Sequence, residues 1–140
     1  MKAEIFLPED YRPAESEPFM NDLQLEYFRR KLIVWKQELL GQSAETIDNL
    51  AESARSVPDL ADRASEETDR ALELRTRDRQ RKLVGKIDAA LRRIENGEYG
   101  YCEVSGEPIS LKRLDARPIA TMTLESQEKH ERREKVHRDE

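Results

Sequence analysis

Ser56-Val57-Pro58-Asp59-Leu60-Ala61-Asp62-Arg63-Ala64 is the stretch that decides the fold, because it stops one long helical pattern and starts another. A residue that precedes proline is driven out of the helical region, so the helix reaching Val57 ends at Pro58. Asp59 suits the cap of a new helix, and Asp62 adds a second carboxylate where the positive end of that helix favours it. Working back from the break, Leu25, Phe28, Leu32, Trp35 and Leu39 recur at spacings of three and four residues, the seam of a coiled coil. The seam then shifts by one residue through Leu40, Ser43, Ile47, Leu50, Ala54 and Val57, which changes the winding without stopping the helix. Asn21 marks its start as a cap, with Gln24 placed to bond back and Met20 to pack on Leu25 as a hydrophobic staple.

Working forward, Ala64, Thr68, Leu72, Thr76, Arg79 and Leu83 lead to Ile87, Ala90 or Leu91, and Ile94. Asn96-Gly97 stops this second helix, the glycine suiting the left-handed position past a helix end. Its middle, Arg75 to Lys82, has no large apolar residue and offers the seam only aliphatic stems. Each helix is about 35 residues, or roughly 50 Å, long. Two such helices joined by a tight turn make an antiparallel hairpin.

Outside the hairpin, Pro8, Pro13 and Pro18 make the first 18 residues an extended arm. Beyond it, Tyr99, Tyr101, Val104, Pro108, Ile109, Leu111, Leu114, Ile119 and Met122 supply a small irregular core. Thr123 can cap a last, highly charged helix from Leu124 to Val136. The expected fold is all-α, divided into an arm and helix start (1–32), a coiled-coil hairpin (33–95) with its tip at 56–64, an irregular segment (96–126) and a C-terminal helix (127–140).

The totals agree with this picture. Charged residues are 39% and apolar residues 36% of 140, too lean for a large core and suited to long helices with a narrow seam. A net charge of -5 argues against a general nucleic-acid binder. No apolar run approaches the ~20 residues of a membrane span, and the acidic N-terminus lacks the apolar core of a signal peptide. The single cysteine, Cys102, excludes an intramolecular disulfide. A cytoplasmic monomer is expected, since a hairpin covers its own seam.

Six ordered segments then carry a resemblance. They are Phe19-Met20-Asn21, Phe28-Arg29-Arg30, Pro58-Asp59-Leu60-Ala61-Asp62-Arg63-Ala64, Leu72-Glu73-Leu74-Arg75-Thr76-Arg77-Asp78-Arg79, Gly100-Tyr101-Cys102-Glu103 and Arg113-Leu114-Asp115-Ala116-Arg117-Pro118. Together they resemble the DksA family of RNA polymerase-binding transcription factors, over nearly all of the chain. The resemblance implies a hairpin that enters the secondary channel of RNA polymerase and acts with guanosine tetraphosphate (ppGpp) on initiation. Ribosomal RNA promoters would be repressed and biosynthetic promoters activated. Asp59, Asp62 and Ala64 match the family's D-x-x-D-x-A tip, which works on mobile elements near the polymerase active centre. Considered without the resemblance, both aspartates are helix caps, and capping is compatible with the tip role.

The same resemblance places Arg79, Leu83 and Lys86 at the ppGpp site formed with the polymerase, where Arg and Lys suit a pyrophosphate. Gln127 stands at another basic position of the family, with Lys129 two residues on. Taken alone, Arg75 to Lys86 reads as a solvated helix face. Many relatives carry a four-cysteine zinc finger, and its positions here are Cys102, Ser105, Thr123 and Ser126. Neutral hydroxyls are poor zinc ligands, so no zinc is expected, and the chain is similar to the low-cysteine branch of the family. His130 and His137 lie roughly 10 Å apart along a helix, a poor ligand pair.

The cations of the last helix are interleaved with Glu128, Glu131 and Glu134, which disfavours direct DNA contact. The leading reading is a non-enzymatic regulator of initiation. Alternatives are a channel-binding transcript-cleavage factor, and a coiled-coil adaptor or holdase, for which this charged tip is unsuited. Nothing in the chain forms a Gly-rich phosphate loop or a nucleophile–base pair.

Overall fold

The computed structural model describes residues 5–55 and 60–139, with the backbone alone at 46, 50, 53–55, 60–63, 138 and 139. The turn expected at 56–59 therefore lies outside the described residues. The fold is all-α, in the order α1 (Asp22–Arg55), α2 (Leu60–Asn96), α3 (Leu111–Ala116) and α4 (Leu124–Asp139). An isolated antiparallel bridge joins Tyr101 and Pro108. Two compact units emerge, Ile33–Asp88 on the one hand and Met1–Leu32 with Ala89–Glu140 on the other.

The first of these is a helical hairpin. Lys36 Nζ pairs with Asp88 Oδ1 at 2.8 Å, Ser43 Oγ donates to Gln80 Oε1 at 3.1 Å, and Gln80 Nε2 donates to Gln42 Oε1 at 2.8 Å. Partners on α2 descend as those on α1 ascend, so the helices are antiparallel. On α1 the shifted seam is met at Ser43 but not at Leu40 or Ile47, while Leu50, Ala54 and Val57 lie outside the described side chains. Leu39 is buried and Ser43 half-buried, whereas Leu40 and Ile47 stay 49% and 44% exposed. Four residues separate Leu39 from Ser43, which keeps both on one stripe, while Leu40 is turned about 100° away.

On α2 the seam also departs from expectation. Ala64, Thr68, Leu72, Thr76 and Arg79 are exposed, and the half-buried positions are Glu66, Arg70, Glu73, Asp78 and Gln80. The two paths diverge at the adjacent pair Leu83-Val84, both half-buried. Stepping back from Ile87 through Val84 by threes and fours reaches the polar set; stepping back through Leu83 reaches the small-residue set. The true seam is thus polar over several turns, lined by aliphatic stems. Arg70 Nε and Glu73 Oε2 are buried there without a hydrogen-bond partner.

The second unit holds the apolar core. Phe28, Leu32, Ala90, Ile94, Tyr99, Ile109, Leu111, Leu114 and Ile119 are buried, and the Tyr99 hydroxyl donates to the Pro118 carbonyl at 2.7 Å. Expected core members Tyr101 and Val104 instead remain 42% and 70% exposed, as does Pro108. The Tyr101–Pro108 bridge pairs backbones, and Val104 sits in the turn between them that Gly106 (φ 74) closes. Their side chains are left facing water.

The arm is tied to the start of α1. Asn21 Oδ1 accepts from the Gln24 amide at 2.8 Å, as expected of a cap. The Gln24 side chain, however, accepts from the Met20 amide at 2.8 Å rather than from Asn21. Met20 is a non-glycine residue at φ 54, and its side chain packs against Gly100. A Cβ at Gly100 would lie 2.9 Å from Met20 Cε. Phe19 meets Tyr101 edge-on at 5.3 Å.

Candidate functional site

Three groups of residues were expected to carry function, and α2 bears one of them and part of a second. Because α2 begins at Leu60, Asp62 falls in its first turn, where a carboxylate interacts favourably with the helix end. Ala64 is exposed one half-turn on. Asp59 lies outside the described residues, and Asp62 is described by its backbone alone. Farther along α2, Arg79, Leu83 and Lys86 follow at spacings of four and three, which sets them on one face. Arg79 and Lys86 are exposed and Leu83 is half-buried, so an apolar contact lies between two cations. Gln127 belongs to the other unit, where its Nε2 donates to Glu131 Oε1 at 3.1 Å.

The third group is brought together by the fold. Cys102 follows the Tyr101 bridge residue, its amide donating to the Glu107 carbonyl at 2.8 Å. The Ser105 amide donates to Cys102 Sγ at 3.5 Å, and the thiol approaches Ser126 Oγ at 3.4 Å. Thr123 Oγ1 caps α4 by accepting from the Ser126 amide at 3.2 Å; its hydroxyl also lies 3.1 Å from Ser126 Oγ and 4.0 Å from Cys102 Sγ. One thiol and three hydroxyl-bearing residues thus converge with hydrogen bonds among them. Burial pushes the Cys102 thiol up, and hydrogen bonds from Ser105, Ser126 and the Thr123 backbone outweigh it, bringing the thiol down to about 6. A structural zinc site needs four thiolate, imidazole or carboxylate ligands, and this set offers one. Among the described residues no group of three or more His, Cys, Asp or Glu is placed to hold a metal. The donor chemistry does not fit zinc.

One constellation was missed. The Tyr27 hydroxyl donates to Asp115 Oδ1 at 2.6 Å, and Lys31 Nζ reaches the same oxygen at 2.7 Å and the Asp115 carbonyl at 2.6 Å. Lys31, then the Tyr27 hydroxyl, hold the Asp115 carboxyl below its usual range. Burial, then the bond to Asp115, push Tyr27 up to about 12. This lock fastens α3 to α1. Asp115 stood in a quoted motif, yet no local pattern links it to positions 84 and 88 residues earlier.

Comparison with known proteins places these features. Residues 24–94 match the family described as "DnaK suppressor protein DksA, N-terminal domain". Residues 97–132 match the "Prokaryotic dksA/traR C4-type zinc finger". The chain is 68% identical over 130 residues to the "RNA polymerase-binding transcription factor DksA" of Caulobacter vibrioides (strain NA1000 / CB15N), covering 93% of this chain and 92% of that one. It is 40% identical over 127 residues to the protein of the same name from Escherichia coli (strain K12), covering 91% and 84%. The solved structure of transcription factor DksA2 from Pseudomonas aeruginosa superposes with a TM-score of 0.79 at 40% identity, covering 86% of this chain and 95% of that one.

Fold and site therefore define a coiled-coil hairpin protein with a zinc-finger-type unit that gathers one thiol and three hydroxyl-bearing residues. The chain belongs to the DksA family.

Proposed function

We propose that this protein is a bacterial transcription factor that binds RNA polymerase and regulates initiation. It inserts its hairpin into the secondary channel and acts with ppGpp, repressing ribosomal RNA promoters and activating biosynthetic ones in the stringent response. The observation that carries the proposal is the 68% identity, over 93% of the chain, to a relative named for RNA polymerase binding. That name favours a regulator over a transcript-cleavage factor or an adaptor.

In this reading Asp59, Asp62 and Ala64 work at the tip, and Arg79, Leu83 and Lys86 contribute to the nucleotide site. The acidic first turn of α2 and the cation–apolar–cation face support those roles. The protein is a non-catalytic cytoplasmic monomer without sequence-specific DNA contact, and its finger functions without zinc. No helix among the described residues is long and apolar enough to cross a membrane.

The test is transcription from a ribosomal RNA promoter with purified bacterial RNA polymerase, comparing the wild type with Asp62→Asn, each with and without ppGpp. Asparagine also suits helix starts, so helicity should be unchanged while repression is lost. Deeper repression with ppGpp would support the nucleotide role despite Gln127. A wild type that neither represses nor binds polymerase would overturn the proposal.

A further inference from the structure

Lys36, Leu40 and Ile47 follow one another on α1 at spacings of four and seven, and Leu74, Arg81 and Asp88 on α2 at sevens. Each set therefore shares one face of its helix. The Lys36–Asp88 ion pair at 2.8 Å joins the two sets and so puts them on the same side of the hairpin. That side holds three large apolar residues in the open, for Leu40, Ile47 and Leu74 are each between 44% and 49% exposed. Ala44 and Ala51, also exposed, extend the α1 row through Leu40, Ala44, Ile47 and Ala51 at spacings of four, three and four. The hairpin closes on itself through Leu39 and Ser43 instead. The row is thus a second seam that α2 leaves bare, and a helix with two seams suits a bundle of more than two helices.

The occupant follows from how charge is divided between the two helices. From Gly41 to Ala54, α1 has three acids (Glu45, Asp48 and Glu52) and no cation, whereas Arg75 to Lys82 of α2 has five cations and one acid. Ser43 bonds to Gln80, so these acidic and basic stretches lie at the same level of the antiparallel hairpin. The same pairing puts Ile47 level with Thr76, about 3 Å along the axis from Leu74. Such a side is complementary to itself. Two copies set side to side by a two-fold axis along the hairpin place α1 of each over α2 of the other, acidic stretch over basic stretch. Ile47 then meets Leu74 of the second copy, and by symmetry Leu74 meets its Ile47. A two-fold axis across the hairpin would lay acids on acids.

We propose that this side of the hairpin pairs two copies of the chain in parallel, as a four-helix bundle centred on Ile47 and Leu74. Three half-exposed apolar side chains per copy make a small interface, with a dissociation constant on the order of 0.1–1 mM. The dilute chain therefore stays single, as in the functional reading above. The pairing stands apart from that reading, because it is a property of the chain alone.

The experiment is sedimentation equilibrium of the full chain at concentrations up to about 1 mM. The average mass should rise from one chain toward two, and added salt should weaken the association several-fold by screening the charged stretches. Ile47→Gln combined with Leu74→Gln should weaken it about tenfold or more, given the apolar area lost. Both side chains are exposed and glutamine is a good helix former, so circular dichroism should be unchanged. The axis is tested by disulfide exchange: an Ile47→Cys chain mixed with a Leu74→Cys chain should cross-link more than either alone. A chain that stays single throughout the concentration range overturns the proposal. If the double glutamine variant of such a chain also loses polymerase binding, the face belongs to the polymerase. Association as strong in the double variant as in the wild type is equally fatal, as is preferential cross-linking within either single-cysteine variant.

Discussion

Cys102 shows how a single side chain can take on a new environment when its partners change. Its thiol, ordinarily at 9.0, is brought to about 6 in the folded protein, so folding favours the thiolate. The stabilisation is fully present above the ordinary value and is lost as pH falls through about 6. Cys102→Ser should therefore be nearly neutral at pH 5.5, with a stability deficit that grows by on the order of 1–2 kcal/mol as pH rises toward 8; urea melts across this range would show it. A pH-independent deficit would contradict the hydrogen-bonded thiolate. Gly100 presents a different constraint, combining φ 93 with the Met20 side chain where a Cβ would stand. Gly100→Ala should cost about 1–3 kcal/mol, and an unchanged thermal midpoint would refute that.

The helices were legible because long amphipathic patterns and proline breaks are local signals. Their faces were less so, since Leu83 and Val84 offered two continuations and the correct one ran through charged residues. The six-residue α3 escaped notice because it spans fewer than two turns, too few for a 3.6-residue period to show. The polar seam of α2 leads to a prediction about the hairpin. Arg70 Nε and Glu73 Oε2 are buried without partners, and each unsatisfied polar group costs about 1 kcal/mol or more. Arg70→Leu and Glu73→Leu should each stabilise the chain by about 1 kcal/mol and raise the midpoint of a circular-dichroism melt. A fall in both midpoints would mean that these side chains are satisfied in solution.

For the molecule as a whole, the sequence revealed the helical class, while tertiary choices settled what it left open. Tyr101 and Val104 read as core by composition, but a bridge and a turn face them outward. The Tyr27–Lys31–Asp115 lock depends on residues far apart in sequence. The two compact units also differ in what holds them, one by an apolar core and the other by a seam with polar turns. Native-state hydrogen exchange should accordingly find amides around Phe28, Ile94 and Leu114 protected by the largest opening free energies, and those at 70–80 exchanging through smaller local openings. Equal protection of both would show a single cooperative block. Met20 and Gly100 carry a consequence for descent. Because the thioether fills the space where a side chain at 100 would stand, and φ 93 strains any residue but glycine there, descent should hold position 100 fixed even in lineages where a smaller residue at 20 has opened the space.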